Sequence, residues 1–134
     1  MADATISVTA CDNELYLIAY VAKDLSRSYQ ICHIQSGYSW SVNVDITLAP
    51  GVWQRPATYD GLSGPINAAP TVCLPAGDYY LIAAGIDWGI PVTGGLGVFD
   101  VTLNSTPLPG SPYNDGKATP GVCWHPEAQL FNVS

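Results

Sequence analysis

The chain has 134 residues, with four Lys or Arg against eleven Asp or Glu and a net charge of −7. Apolar residues make up 48% of the sequence and charged residues only 11%, which excludes an intrinsically disordered chain. Because phosphate binding depends on clustered Lys and Arg, this balance predicts no nucleic-acid partner. The length predicts a single domain over residues 1–134. The longest apolar runs, such as residues 79–85, are far too short to span a membrane.

The first nine residues lack the basic segment and the apolar stretch of a secretory signal. We therefore expect a cytoplasmic protein or one that is exported by a non-classical route. A mature exported domain with an added Met fits the same residues, and the sequence leaves the three open.

Short apolar runs separated by Gly, Pro, Asn and Asp follow one another along the chain, with no sustained helical periodicity. In chain order, strands are predicted at residues 5–10, 14–22, 28–35, 39–48, 71–74, 78–86, 97–103 and 129–133. The fourth alternates most clearly, with Trp40, Val42, Val44, Ile46 and Leu48 on one face. The pattern predicts an all-β fold, an antiparallel β-sandwich of jelly-roll or Ig/prealbumin-like type with about eight strands.

Two long Pro/Gly-rich segments, residues 53–70 and 107–126, are predicted to be loops between these strands. Each contains large aromatic side chains, Trp53 in the first and Tyr113 and Trp124 in the second, which argues against disorder. Because long ordered loops often carry function, we expect a binding site in or beside them.

The four cysteines, Cys11, Cys32, Cys73 and Cys123, include no C-x-x-C pair. Cys32 and Cys73 lie in strand-like runs, where a free cysteine behaves as a small buried hydrophobe. One disulfide between distant partners stays open as the alternative. A zinc site built on Cys123 and His125 is disfavoured against buried thiols and a surface imidazole.

Motifs of catalysis are incomplete in this sequence. Residues 61–64, Gly-Leu-Ser-Gly, lack the spacing of a nucleophile elbow. Residues 125–127, His-Pro-Glu, match only the first half of a zinc-deaminase signature. Glu14 and Glu127 are the only glutamates, and no pair of aspartates stands out as the acid and base of a glycosidase. The sequence therefore predicts a binding protein and not an enzyme.

The sequence indicates no certain cofactor, and calcium is the candidate, because acidic and amide side chains in turns supply the oxygen ligands that it prefers. Asn114 and Asp115, which follow Tyr113, are the candidate ligands, and ordinary turn formation is the favoured role for both. Residues 109–115, Pro-Gly-Ser-Pro-Tyr-Asn-Asp, resemble the calcium-binding loop of small bacterial galactose-binding sandwich lectins. The resemblance covers at most about a fifth of the chain, and the upstream strand order does not match that family. It therefore implies no membership.

A sugar presents apolar C–H faces and hydroxyl edges, so its site combines an aromatic platform with Asp, Asn or Gln side chains. The residues with this mix at predicted strand ends or in loops are Trp53, Gln54, Asp87, Trp88, Tyr113, Asn114 and Asp115. Burial in the core or anchoring of a loop is the alternative role for each aromatic ring. We predict a small β-sandwich lectin that recognises glycans through these residues.

The alternative function is self-assembly, as a filament, coat or inclusion subunit without a small-molecule ligand. Low charge and high apolar content would then serve contacts between copies, and sandwich edges and long loops would supply the interfaces. A homo-oligomer is expected in either case.

Overall fold

A computed structural model of the chain describes residues 4–35, 42–61, 64–89, 97–116 and 120–134. Within these ranges the chain forms thirteen strands and no helix. The strands are β1 (Ala4–Asp12), β2 (Glu14–Val21), β3 (Ser28–Gln35), β4 (Val42–Pro50), β5 (Ala57–Asp60), β6 (Ile66–Ala68), β7 (Thr71–Leu74), β8 (Gly77–Asp87), β9 (Val98–Leu103), β10 (Thr106–Pro107), β11 (Tyr113–Asn114), β12 (Gly121–Trp124) and β13 (Gln129–Val133). Nothing in the described ranges is a helix that could cross a membrane.

The strands form two sheets that pack face to face, which confirms the predicted β-sandwich. The first sheet has the order β10-β9-β1-β4-β6, with β11 also paired to β9 and β7 also paired to β4. The second sheet has the order β12-β8-β2-β3-β5, with β13 also paired to β8. Most neighbours are antiparallel, whereas β5 runs parallel to β3, and β6 and β7 run parallel to β4.

Strict alternation of apolar side chains builds the core between the two sheets. In β2, Leu15, Leu17 and Ala19 point inward and are fully buried, and β4 alternates in the same way as predicted. Phe99 of β9 is the largest fully buried side chain, and its ring stacks on that of Trp124 at 5.8 Å between centroids. One continuous cluster of buried residues thus joins both sheets.

The outer faces of the two sheets differ in chemistry. On the first sheet, Ser7 Oγ donates a hydrogen bond to Asp45 at 2.7 Å and Thr9 Oγ1 donates one to Asp100 at 2.9 Å. On the second sheet, the outward positions of β2 and β8 are mostly aromatic or aliphatic: Tyr16, Ile18, Tyr20, Tyr80, Ile82, Ala84 and Ile86. Such an apolar outer face marks the second sheet as the candidate interaction surface.

The estimate of about eight strands is too low, because both predicted loops contain short strands. Strands β5 and β6 lie in residues 53–70, and β11 and β12 lie in residues 107–126. Each is two to four residues long and pairs at a sheet edge or beside part of a longer strand, so none repeats the alternation often enough to be recognised. The predicted strand at 39–48 is described from Val42 onward, and Trp40 lies outside the described residues.

All four cysteines lie within the described ranges as free thiols, so the disulfide alternative is not realised. Cys11 and Cys32 are buried as small hydrophobes, while Cys73 is half-buried and fits the prediction only in part. Burial raises the pKa of the Cys32 thiol to about 12. Burial, with the nearby charges of Asp115 and Asp87, raises the pKa of Cys123 to about 11. These two thiols stay protonated and poorly nucleophilic at neutral pH.

Candidate functional site

A group of polar and aromatic side chains gathers at one end of the outer face of the second sheet. Glu14 and Tyr16 lie on β2, opposite Gln35 and His33 of β3, respectively, and Trp88 follows the end of β8. Since alternate residues share a face, the β2 and β3 side chains project from the same surface. We call these five residues the Glu14 cluster.

The Glu14 carboxylate is the hub of the cluster and accepts a hydrogen bond from each of the other four side chains. Its Oε2 atom accepts from His33 Nε2 at 2.5 Å, Tyr16 Oη at 3.2 Å and Gln35 Nε2 at 3.3 Å. Its Oε1 atom accepts from Trp88 Nε1 at 3.1 Å. An ionised carboxylate only accepts, so His33 carries its proton on Nε2.

The Glu14 side chain is 13% exposed and that of His33 is 19% exposed, so the pair reaches the surface without projecting from it. Burial raises the pKa of the Glu14 carboxyl, but the hydrogen bonds from His33, Trp88, Gln35 and Tyr16 together outweigh it and bring the pKa below its usual value. The carboxylate therefore stays ionised at neutral pH and holds the surrounding donors in place.

The N–H and O–H groups that donate to Glu14 are not available to a ligand. The atoms of the cluster that remain for a ligand are mainly acceptors. The Tyr16 hydroxyl keeps its oxygen lone pairs, and Gln35 keeps its amide oxygen. Glu14 Oε1 receives only the Trp88 N–H among the described residues, so it has room for a second donor. The cluster is thus prepared for a ligand rich in O–H groups.

An aromatic and aliphatic row continues from this cluster along β2 and β8. The Tyr16 ring stacks on His33 with centroids 4.2 Å apart and planes 10° apart. On the β8 side of β2, the register places the short side chain of Ala84 opposite Tyr16, and Tyr80 opposite Tyr20. From Tyr16 to Tyr20 the row extends about 13 Å along the strand.

Of the seven residues predicted to bind a glycan, Trp88 is the one that belongs to the Glu14 cluster. Trp53 is half-buried and donates its indole N–H to the Gln30 carbonyl at 2.9 Å, with its ring 5.9 Å from that of Tyr29. It therefore anchors its segment to β3, and Gln54 beside it is exposed. Trp53 and Trp88 contact different parts of the second sheet.

The remaining predicted residues lie around Cys123 and Phe99. Asp87 is fully buried and accepts the Gly89 N–H at 2.7 Å, so it does not reach the surface. Tyr113 is half-buried, with its ring stacked 6.5 Å from Phe99 and 6.3 Å from Trp124. Asp115 is half-buried and accepts the Gly97 N–H at 3.0 Å, while Asn114 is exposed and accepts the Gly116 N–H at 2.8 Å.

Calcium binding at Asn114 and Asp115 stays a prediction. Asn114 Oδ1 accepts the N–H of Gly116, two residues on, as the alternative of turn formation requires, whereas Asp115 Oδ1 accepts the N–H of the distant Gly97. The part of the chain that the structure describes holds no group of three or more His, Cys, Asp or Glu suited to a metal ion. A calcium dependence therefore has to be measured in solution.

Sequence reasoning missed Glu14, Tyr16, His33 and Gln35. One signal was available: these polar and aromatic residues occupy the outward positions of two strands whose bounds were predicted well. Strand β2 is otherwise apolar or aromatic, so outward polar groups at matching ends of the β2–β3 hairpin indicate a site. The register that pairs them was not deducible from that pattern.

Comparison with protein-family models, with curated proteins and with solved structures gives no match for this chain.

Proposed function

We propose that the protein binds glycans on the outer face of the second sheet, through the Glu14 cluster and the aromatic row beside it. One observation carries the proposal: the donors of Tyr16, His33 and Trp88 all turn toward Glu14, which leaves acceptors next to aromatic rings. A sugar offers the matching groups, hydroxyl donors at its edge and an apolar face for stacking.

The arrangement also favours an oligosaccharide over a single sugar. The row from Tyr16 to the Tyr20 and Tyr80 pair extends about 13 Å and gives further stacking surface beyond the polar cluster. Because both ends lie on central strands, the platform needs little ordering on binding, which lowers the entropic cost.

Glu14→Gln is expected to weaken glycan binding at least tenfold, which is about 1.4 kcal/mol. The amide keeps the shape of the side chain but loses the charge and one of its two acceptor oxygens, so it cannot hold the donors of both His33 and Trp88. A glycan array identifies a ligand for the wild type, and titration calorimetry then compares the variants with and without calcium.

The matched control is Glu127→Gln, because Glu127 is the other glutamate of the chain and is exposed outside the cluster. It should bind like the wild type. Asn114→Ala tests the loop at residues 109–115, which the sequence favoured. If glycan binding is lost in Asn114→Ala and unchanged in Glu14→Gln, the glycan site lies in that loop and not at the Glu14 cluster. A blank array for the wild type, with and without calcium, removes the proposal.

Assembly with a second copy of this chain is the other candidate function, and an exposed apolar patch favours it. Tyr20, Tyr80 and Leu130 lie side by side on β2, β8 and β13, with Leu130 62% exposed. Leu25 is 61% exposed and, together with Tyr20 and Tyr80, lines a shallow depression that is completed by Ile82 and Ala128. None of these side chains is charged, so pairing two patches avoids direct contact between like charges on a chain of net charge −7.

If this patch joins two copies, Leu130→Asp should convert a dimer to a monomer at micromolar concentration. Light scattering after size-exclusion chromatography measures the mass directly. Val52→Asp is the matched control, since Val52 is 79% exposed and lies outside the patch. A monomeric wild type at high concentration contradicts the assembly function.

A further inference from the structure

A cavity of about 240 Å³ lies at the opposite end of β2 from the Glu14 cluster. It opens between the β2–β3 turn, which carries Lys23 and Arg27, and the β7–β8 turn at residues 75–78. Tyr29 and Tyr79 line its wall. Glu14 and Val21 are separated by about 23 Å along the strand, so this cavity is distinct from the Glu14 cluster.

The two turns are fixed to each other and to the sheet. Val21 N donates to the Arg27 carbonyl at 3.0 Å, and Ala22 N donates to the Asp78 carbonyl at 3.0 Å. Inside the β2–β3 turn, Asp24 Oδ1 accepts both the Ser26 N–H at 3.1 Å and its hydroxyl at 2.6 Å. The cavity is therefore formed before any ligand arrives.

Positive charge is scarce in this protein, and half of it lines this cavity. The sequence has four Lys and Arg residues, and Lys23 and Arg27 are two of them. Across the described residues neither forms an ion pair within 4.0 Å of a carboxylate. Two acids adjoin these cations and have hydrogen-bond donors of their own: Asp78, which also lines the cavity, accepts from Asn132 Nδ2 at 2.9 Å, and Asp24, in the same turn as Arg27, accepts from Ser26.

Two hydrogen bonds within the cavity wall determine which donor groups remain for a ligand. Arg27 Nη2 donates to Tyr29 Oη at 3.1 Å, so the Tyr29 proton is free to be donated in turn. Tyr79 donates its hydroxyl proton to the Pro75 carbonyl and so fixes the β7–β8 turn. The donors that remain are the Lys23 ammonium, the other guanidinium N–H groups and the Tyr29 O–H, while the Asp78 carboxylate, which also lines the cavity, accepts from Asn132.

We infer that this cavity binds a small oxyanion, namely a carboxylate, sulfate or phosphate group, through Lys23, Arg27 and Tyr29. Such a group supplies only acceptor atoms and negative charge, which complements two cations without an ion pair and their remaining N–H donors. Because both cations are exposed, binding weakens as salt screens them.

The test is an NMR titration of the full chain with sodium sulfate, sodium phosphate and sodium acetate in separate arms, at constant ionic strength set with sodium chloride. Saturable shifts are expected for the amides of residues 21–29 and 76–79, with the tightest anion identifying the preferred group. Arg27→Gln should weaken that affinity at least fivefold, whereas Arg55→Gln, which changes an exposed cation outside the cavity, should leave it unchanged.

Three results would overturn the inference. Shifts that stay linear in anion concentration, shifts that sodium chloride alone reproduces, or equal losses in the Arg27 and Arg55 variants each mean that no built site exists. Anion binding should persist in Glu14→Gln, so this outcome and the glycan result are independent.

Discussion

Asn13→Asp is expected to destabilise the protein by about 3 kcal/mol or more at neutral pH, because it buries a second carboxylate against the first. Asn13 is 0% exposed, and its Nδ2 donates to Asp12 Oδ1 at 2.7 Å. Asp12 is itself 1% exposed. The substitution replaces a donor by an acceptor of like charge, and neither carboxylate can turn to water.

Urea unfolding at several pH values measures this effect. Like-charge repulsion and burial raise the pKa of the new carboxyl in the folded state above its unfolded value of about 3.9. The penalty is therefore absent below that unfolded value, grows as pH rises toward the raised folded pKa, and is complete above it. Near pH 3 the free energy of unfolding of the variant should approach that of the wild type, apart from the contribution of the lost amide donor.

Asn67→Asp is the matched control, since it makes the same change at an exposed position of β6 and should cost less than about 0.5 kcal/mol. Asn13 also accepts the Trp88 backbone N–H at 2.9 Å, which positions Trp88 for its bond to Glu14. A stable Asn13→Asp variant at pH 7 would contradict the buried placement of this residue and, with it, the geometry of the Glu14 cluster.

Gly85→Ala is expected to cost about 1–3 kcal/mol by overpacking the core. A Cβ atom at Gly85 would lie 2.6 Å from Cε2 and 2.7 Å from Cδ2 of Phe99, far inside van der Waals contact. Phe99 is fully buried and stacked on Trp124, so its ring cannot move aside. Gly85 lies within the regular strand β8, where the backbone itself tolerates alanine.

A double-mutant cycle separates this clash from any other effect of the substitution. Phe99→Ala alone should cost about 3–5 kcal/mol through the cavity that it leaves. In that background, Gly85→Ala should cost less than about 0.5 kcal/mol, since the ring that it strikes is gone. Strictly additive free energies of unfolding would show that Gly85 and Phe99 are not in contact.

The sequence predicts the long strands well, because each buries one face and repeats its alternation over many residues. The predicted bounds of β3, β7 and β13 agree with the structure, and those of β1, β2 and β8 differ by at most two residues at either end. The same reasoning fails for β5, β6, β11 and β12, whose few residues owe their strand conformation to a longer neighbour.

The candidate site shows a similar division. Trp88 was predicted from its position at a strand end beside an acid, but its actual partner is Glu14, 74 residues away. The loop residues Trp53 and Tyr113 satisfy the composition of a sugar site, yet their rings pack on Tyr29 and Phe99. Composition alone does not show whether an aromatic side chain packs in the core or contacts a ligand.

The amino-acid sequence by itself determined the fold class, the inward face of each long strand and the scarcity of positive charge, since these follow from local alternation and composition. Tertiary structure decided which outward faces meet. The Glu14 cluster needs β2, β3 and the end of β8 in one register, and the anion cavity needs two distant turns side by side. Both depend on long-range strand pairing, which is set by the fit of the whole core and leaves no local pattern in the chain.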